Sequence, residues 1–303
     1  MQYLKQKKGF LGYEAFSKVE SKAVVVPFGL EKSVSYGGGT KNGPKEIIKA
    51  SHQVELFDED LNKEPYKSIG IKTLKPIKIK KNLEAAIDQL AYINHYLKIN
   101  KKFPLVLGGE HSITPGAIKP FAQTSKRLTI VHFDAHADLR EKYNGEKFSH
   151  ACAIKRCLDF KNVEVISIGI RSLSSPEMKF FNNNRDRIKI FWAKDKNNWK
   201  LNEIRKLVNM KNVYITFDVD AFDSSIMPAT GTPEPGGLSW EDVIRIIKIV
   251  CKNSNVVGAD INELAPIKNF DSYNFLIAKL AYKILSYTFE YKKKNTNFDQ
   301  SIS

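Results

Sequence analysis

The sequence predicts an α/β fold built on a parallel sheet. Short runs rich in valine and isoleucine alternate with segments of helical periodicity, and this alternation is typical of strands joined by right-handed helical crossovers. The runs lack strict polar alternation, which is typical of strands that are covered by helices on both faces. The six runs are residues 22–30, 103–109, 127–134, 163–172, 212–220 and 255–264.

Helical segments separate these runs. Residues 82–100 place apolar side chains at helical spacing along one face. Ser239 and Asp242 have the spacing of a capping box ahead of an apolar run, and Pro176 stands where a first helical turn would begin. Residues 272–289 predict the closing helix.

No glycine-, serine- or proline-rich linker divides the chain. We therefore expect a single domain over residues 1–303, with a core at about 22–290 and a polar tail at about 292–303. The first residues lack the apolar stretch of a signal peptide, and no run approaches transmembrane length, so we expect a cytoplasmic protein that does not bind membranes. An odd number of cysteines in helical segments predicts buried thiols in a reducing compartment: Cys152, Cys157 and Cys251.

The net charge of +15 raises the alternative of a lysine-rich nucleic-acid-binding protein. The basic residues comprise 40 lysines and 8 arginines, and they are scattered along the chain. Nucleic-acid recognition favours the planar fork of arginine, and neither a zinc-finger nor an RNA-recognition signature is present. The charge therefore favours a solvated surface over a nucleic-acid partner.

Ionisable side chains cluster directly after apolar runs. Asp134, His136 and Asp138 alternate after one run, and extended chain puts alternate side chains on one face. Asp218 and Asp220 repeat this spacing after another run. Because the carboxyl ends of parallel strands meet at one edge of a sheet, these groups are expected to converge there.

A third run ends in two glycines, which permit tight turning, followed by Glu110 and His111. With His111 there are six candidate metal ligands, four carboxylates and two imidazoles, from three strand ends. Carboxylates resist sharing a site unless a cation removes their repulsion. The number of ligands fits two divalent ions better than one, and oxygen-rich ligation favours manganese over structural zinc, with iron, cobalt and nickel left open.

Several motifs of the chain resemble the ureohydrolases, the family of arginases, agmatinases and formiminoglutamases. They are GGEHSIT, HFDAHADLR, YITFDVDAFDSSIMPATGTPEPGGLSW and DINELAP, together with the agmatinase-like SYGGGTKNGP and FSHACAIKR. The resemblance covers about residues 22–290. It implies a three-layer α/β/α fold around a parallel eight-stranded sheet, two Mn²⁺ per subunit, and a homo-oligomer, either a trimer or a hexamer.

The resemblance also implies how the metal ligands are shared. One ion would be held by His111, Asp134, Asp138 and Asp218, and the other by Asp134, His136, Asp218 and Asp220. Three departures from the family pattern spare these ligands. Glu110 stands where aspartate is more common and is expected to support a ligand, Lys45 stands where arginine is common, and Glu234 precedes a proline where arginases carry small apolar residues.

Catalytic roles follow from the resemblance. A water shared by two divalent ions loses a proton near neutral pH and can attack a guanidinium carbon. Asp138 would hold this nucleophile, His150 would shuttle a proton, and Glu263 would pair with the guanidinium. Thr232 would either bind the substrate or form a turn. A helix-start role for His150 and a plain loop role for Glu263 are the structural alternatives.

The connection LREKYNGEKFSH lacks the arginase pattern and resembles agmatinases. We therefore predict hydrolysis of agmatine to putrescine and urea, with Tyr143 and Phe148 as candidates to pack its aliphatic chain. Arginine, guanidinobutyrate, guanidine and formiminoglutamate are the alternative substrates. Of the other histidines, His132 is expected to lie in the sheet or beside a ligand, and His52 and His95 to pack or face solvent.

Overall fold

A computed structural model describes residues 1–12 and 15–292. Beyond residue 292, the predicted polar tail therefore lies outside the described residues. The eight strands are β1 (Ala23–Phe28), β2 (Ile71–Thr73), β3 (Phe103–Gly108), β4 (Leu128–Phe133), β5 (Val163–Ile170), β6 (Ile188–Trp192), β7 (Asn212–Asp218) and β8 (Asn255–Asn262). They form one parallel sheet in the order β2-β1-β3-β8-β7-β4-β5-β6.

The α-helices are α1 (Gly43–Ala50), α2 (Tyr66–Ile69), α3 (Leu83–Ile99), α4 (Thr114–Ala122), α5 (Ala153–Cys157), α6 (Ser175–Asn182), α7 (Leu201–Val208), α8 (Trp240–Asn253) and α9 (Ser272–Lys292). Apolar residues of α1, α7, α8 and α9 pack on one face of the sheet. Those of α3, α4, α5 and α6 pack on the other. The predicted three-layer α/β/α architecture is confirmed.

The six predicted runs are the six central strands. The two strands that pattern reasoning missed, β2 and β6, are the edges of the sheet. Both are short and carry an exposed lysine between buried residues, Lys72 in β2 and Lys189 in β6. An edge strand meets solvent along one side, so it lacks the continuous apolar run by which central strands are identified.

Local signals also begin the helices. Asn82 caps α3 through a hydrogen bond that its Oδ1 accepts from Ala85 N at 2.9 Å. Ser239 and Asp242 form the predicted capping box of α8. Pro176 lies in the first turn of α6, as predicted. These caps satisfy backbone groups that a helix start would otherwise leave without partners.

The three cysteines are buried and free, as predicted. Cys157 and Cys251 lie in α5 and α8, and Cys152 lies in a short 3₁₀ turn just before α5. Within residues 1–12 and 15–292, the protein has no helix of sufficient length and apolar character to cross a membrane.

Two glycines at the end of β3 let the chain turn into the carboxyl edge of the sheet. A Cβ on Gly109 would lie 2.0 Å from the carbonyl oxygen of Leu30, and one on Gly108 would lie 2.0 Å from Asn262 Oδ1. Only glycine permits backbone segments to approach this closely.

Gly109→Ala is expected to lower the free energy of unfolding by about 2 kcal/mol, because the added methyl group meets a backbone carbonyl that cannot rotate away. Urea denaturation measures the change. Gly38→Ala is the matched control, since a Cβ there has no neighbour within 4 Å. Equal stability of the two variants would contradict this account of the turn.

Candidate metal centre and substrate cavity

The candidate site lies where four neighbouring strands end. β3, β8, β7 and β4 are adjacent in the sheet. His111 follows β3, Glu263 follows β8, Asp218 ends β7, and Asp134 follows β4. Because the strands are parallel, all four side chains lie at the same carboxyl edge, where open α/β sheets bind ligands.

A first group of ligand atoms surrounds His111. Its Nδ1 lies 3.0 Å from Asp134 Oδ2, 3.2 Å from Asp138 Oδ2 and 3.4 Å from Asp218 Oδ2. All four side chains are buried, yet His111 Nδ1 makes no hydrogen bond. A buried ring nitrogen that faces three carboxylates without bonding to any is the arrangement expected of a metal ligand.

A second group lies beside the first. His136 Nδ1 is 2.9 Å from Asp220 Oδ2 and 3.6 Å from Asp134 Oδ1. Asp134 therefore has one carboxylate oxygen toward each group, and it belongs to both of the clusters that could hold a metal ion. Asp218 Oδ1 accepts a hydrogen bond from Asp220 N at 2.9 Å, which joins the two groups from the other side.

The carboxylates are crowded. Burial, with Asp220 and Asp134 nearby, raises the pKa of Asp218 well above its ordinary value, and burial with Asp134 nearby raises that of Asp220. Burial also raises the pKa of Glu263 well above its ordinary value. Each raised pKa means that burial and neighbouring carboxyl groups disfavour the charged form, a penalty that a bound cation would offset, so the described donor set fits divalent metal ions.

In contrast to these three carboxyl groups, His136 and Asp134 have pKa values shifted toward their charged forms. Burial would lower the pKa of His136, but Asp220 and Asp134 raise it to about 12. Burial opposes ionisation of Asp134 as well, yet the charge and hydrogen bond of His132, with His111 close by, hold its pKa well below the usual range. The atoms through which these imidazoles and carboxylates now contact each other are the atoms that could bind a metal ion.

A hydrogen-bonded chain orients His111. Its Nε2 lies 2.8 Å from Thr216 Oγ1, and Thr216 in turn donates to Asp260 Oδ1 at 2.5 Å. Since the threonine hydrogen goes to the carboxylate, Thr216 accepts from the Nε2–H of His111. Nδ1 is therefore left with a lone pair, as metal ligation requires.

A cavity of about 280 Å³ opens above the two groups. Arg140 is the only lysine or arginine among its lining residues in the described part of the chain. The other lining side chains include the ligand candidates His111, His136, Asp138, Asp218 and Asp220 and the predicted substrate contacts His150, Thr232 and Glu263. Asp134 lies deeper and is completely buried.

Residues 21–286 match the sequence model of the arginase family. The chain belongs to the arginase family. It is 35% identical to the N(1)-aminopropylagmatine ureohydrolase of Synechocystis sp., over 95% of this chain and 96% of that protein. It is 34% identical to the agmatinase of Bacillus cereus, over 82% and 85% of the two chains. The agmatine ureohydrolase structure of Thermoplasma volcanium superposes with a TM-score of 0.80 at 32% identity, over 91% of this chain and 92% of that one.

The protein is thus a ureohydrolase, and the implied eight-stranded arginase-like fold is confirmed. The family depends on a binuclear metal centre. Two convergent groups of His and Asp side chains that share Asp134, all buried except the half-buried His136, could hold such metal ions here. His132, the extra histidine of this motif, bonds to Asp134 Oδ2 through Nε2 at 2.8 Å, beside a ligand as expected.

The expectation that Glu110 supports a metal ligand is wrong. Its Oε2 accepts hydrogen bonds from Lys32 N and Ser33 N, each at 2.6 Å, and its Oε1 accepts from Ser33 Oγ and Ser112 Oγ. No ligand side chain is among these partners. The Glu110 side chain instead extends from the end of β3 to the loop after β1. The sequence alone could not show that these two segments lie side by side.

Of the two aromatic residues predicted to pack the substrate, Tyr143 lines the cavity and Phe148 does not. Phe148 packs against the hydrophobic cluster beneath α3 to α6. The Asn144–Gly145 turn after Tyr143 explains the difference, because both residues have positive φ and return the chain at once. Phe148 thereby falls on the far side of the turn.

Asp138 and Glu263 adopt left-handed backbone conformations, with φ of 51° and 66°. Such values are uncommon for residues other than glycine and concentrate at functional sites. Glu263 Oε1 accepts a hydrogen bond from His111 N at 2.6 Å, and Glu263 N donates to Gly109 O at 2.7 Å. These bonds tie Glu263, after β8, to the chain that follows β3.

Arg171, just after β5, was missed by sequence reasoning. Its guanidinium donates to backbone carbonyls of Gly169, Asp220, Phe222, Glu234 and Pro235, at 2.7 to 3.2 Å. It therefore fixes the ligand loop after β7 against the loop that carries Glu234. The available signal is an arginine at a strand end in a chain whose basic residues are mostly lysine.

Glu234 was noted only as a departure from the arginase pattern. In the structure its Oε1 lies 3.7 Å from His136 Nε2. This carboxylate faces the ring nitrogen that points away from Asp220, so it helps to aim His136 Nδ1 at the metal-ligand group.

Metal binding is expected to stabilise the protein more at pH 8 than at pH 6. In the metal-free protein the raised pKa values of Asp218, Asp220 and Glu263 mean that the folded state holds protons that the unfolded chain has lost, so stability falls as pH rises. The raised pKa values of His111 and His136 also make stability fall as pH rises. The lowered pKa of Asp134 changes stability only at acidic pH.

Bound metal replaces these protons and recovers about 1.4 kcal/mol per pH unit for each proton displaced. Thermal unfolding with MnCl₂ or with EDTA at both pH values measures the effect. A metal-induced rise in Tm that is equal or smaller at pH 8 would contradict it.

Proposed function

We propose that the protein hydrolyses the guanidino group of agmatine to putrescine and urea, using two Mn²⁺ per subunit. The observation that carries the proposal is the pair of ligand groups that share Asp134 at the floor of an acidic cavity. The agmatinase relatives support the choice of substrate. We also propose a cytoplasmic homo-oligomer, a trimer or hexamer, with no nucleic-acid partner.

The metal assignment rests on the donor set. One ion would be held by His111, Asp134, Asp138 and Asp218, and the other by Asp134, His136, Asp218 and Asp220. Oxygen donors with two imidazoles and no thiolate favour Mn²⁺. When bound, the metal pair supplies a hydroxide nucleophile near neutral pH and stabilises developing negative charge.

The catalytic assignments are those that the resemblance implies, and the positions of the residues support them. Asp138 Oδ2 lies 3.2 Å from His111 Nδ1 and Asp138 lines the cavity, where its carboxylate can hold and move a proton of the attacking water. Glu263 and Thr232 line the same cavity, and a carboxylate there pairs with a guanidinium cation. His150, which also lines the cavity, protonates the departing amine.

A cationic substrate is favoured by the charges of the cavity. Arg140, its one arginine, is already engaged: its Nε lies 3.7 Å from Glu177 Oε2, and its guanidinium stacks over the ring of Tyr143 at 5.2 Å. A substrate carboxylate, as in arginine or guanidinobutyrate, would have to compete for this cation. The aliphatic amine of agmatine would not.

A second candidate substrate is N(1)-aminopropylagmatine. The relative that covers 95% of this chain is a ureohydrolase of that compound. Both candidates present a guanidinium at one end and a cationic amine chain at the other, so they make the same demands on the metal groups. N(1)-aminopropylagmatine is longer by the aminopropyl group and carries one more amine.

Manganese-loaded enzyme is expected to release urea from agmatine with a kcat/KM at least about tenfold higher than from arginine, which is about 1.4 kcal/mol in the barrier. A urea assay with agmatine, N(1)-aminopropylagmatine, arginine, guanidinobutyrate and guanidine makes the comparison, and formiminoglutamate is tested by release of formamide. A higher kcat/KM for N(1)-aminopropylagmatine would reassign the substrate. A preference for arginine would refute the agmatine proposal while leaving the reaction class unchanged.

Asp218→Asn is expected to reduce urea release by at least about 10³-fold and to lower bound metal, since an amide neither carries the charge nor bridges as a carboxylate does. Metal content by elemental analysis and urea release are measured together. Asp88→Asn, which removes a carboxylate paired with Lys119 on the surface, is the matched control and should leave both unchanged. Normal activity in Asp218→Asn would refute the assigned centre.

A further inference from the structure

Ser33 joins a buried carboxylate to the candidate proton shuttle. It lies in the loop after β1, and its Oγ is 3.1 Å from Glu110 Oε1. The same oxygen is 3.0 Å from the backbone nitrogen of His150 and 3.2 Å from His150 Nδ1. The proposed mechanism gives no role to Ser33 or Glu110, although both are half-buried or buried beside the cavity.

Glu110 determines where the hydrogen of Ser33 points. Glu110 is completely buried, and both of its oxygens accept hydrogen bonds: Lys32 N and Ser33 N donate to Oε2, and Ser112 Oγ donates to Oε1. A carboxylate is only an acceptor, so the Ser33 hydroxyl must be the donor in its bond to Oε1.

The tautomer of His150 follows from this count. A serine hydroxyl has one hydrogen and two lone pairs. With the hydrogen directed to Glu110, one lone pair accepts from His150 N–H and the other is left for His150 Nδ1, which can use it only by carrying a hydrogen. The neutral ring then has its free lone pair on Nε2.

We propose that Ser33 is a positioning residue for His150, which holds the Nδ1–H tautomer and leaves Nε2 as the nitrogen that takes up and releases the proton. The inference rests on the proposed role of His150 as the shuttle. In this tautomer Ser149 Oγ, 3.3 Å from Nδ1, is a second acceptor for the Nδ1 hydrogen, and the ring of Tyr143 meets the imidazole edge-on with centroids 5.7 Å apart.

The kinetic test compares Ser33→Ala, Ser33→Thr, His150→Asn and the double variant Ser33→Ala/His150→Asn. Ser33→Ala is expected to lower kcat about tenfold with KM changed less than about threefold, because general acid–base catalysis contributes about 10²–10⁴ and only its orientation is lost. Ser33→Thr keeps the hydroxyl and should recover most of kcat. In the His150→Asn background, Ser33→Ala should cause no further loss.

The matched control is Ser68→Ala. Ser68 also donates its hydroxyl to a neighbouring group, Pro65 O at 3.1 Å, but it lies in α2, just before β2 and at the amino edge of the sheet. Additive losses in the double variant, or a rise in KM at unchanged kcat, would overturn the inference. An equal loss of kcat in Ser68→Ala would do so as well.

The tautomer is read independently of activity from the ring nitrogens of ¹⁵N-histidine-labelled enzyme loaded with diamagnetic Zn²⁺. The His150 signals are those absent from His150→Asn. We expect Nδ1–H in the wild type and a shift toward Nε2–H in Ser33→Ala. Nε2–H in a wild type that releases urea overturns this inference alone. Nδ1–H in a wild type that releases no urea from any guanidine overturns the proposed function and supports the tautomer assignment.

Discussion

Repulsion among buried carboxyl groups is the constraint on which the rest of this structure depends. Five of them, Asp134, Asp138, Asp218, Asp220 and Glu263, meet at one edge of the sheet and are at most 8% exposed. Carboxylates that share a buried site cannot all ionise unless cations compensate them. Burial and the neighbouring carboxyl groups raise the pKa of three of the five, Asp218, Asp220 and Glu263. Divalent ions bound by these side chains would remove that repulsion, so the groups that destabilise the metal-free fold are the ones suited to hold metal.

The surrounding residues keep these groups converged. Thr216 and Asp260 orient His111, and His132 orients Asp134. Arg171 holds the backbone in place: its rigid planar guanidinium donates hydrogen bonds to carbonyl groups of two loops. Preorganised groups of this kind need no rearrangement when charge develops during a reaction, which is the main advantage of a folded site over solvent.

The cavity and the surface have opposite electrostatic character. The chain carries a net charge of +15, yet the cavity contains a cluster of carboxylates and one arginine that is held by Glu177 and Tyr143. Low-dielectric walls concentrate the local field, so a cationic guanidine responds to the cavity and not to the remote lysines. Relatives that act on agmatine and on N(1)-aminopropylagmatine share this fold, which is consistent with substrate choice by the loops above a common metal edge.

The sequence by itself determined the class of fold, the six central strands and the ligand candidates, because these depend on local spacing. Alternate positions after a buried strand, such as Asp134 and His136, share a face whatever the rest of the chain does. A resemblance to ureohydrolases then supplied the number of strands and the roles of His150 and Glu263. Only the tertiary structure decided which strand ends meet, since the order β3-β8-β7-β4 joins segments far apart in the chain.

The same physical reason explains what sequence reasoning missed. Ser33 and His150 are 117 residues apart, and Glu110 meets the loop after β1 across 77 residues. Such pairings have no periodic signature, because they arise from packing and hydrogen-bond satisfaction after the chain has folded. The edge strands β2 and β6 belong to this class too, since a strand of three to five residues with a lysine in it becomes a strand only through its neighbour.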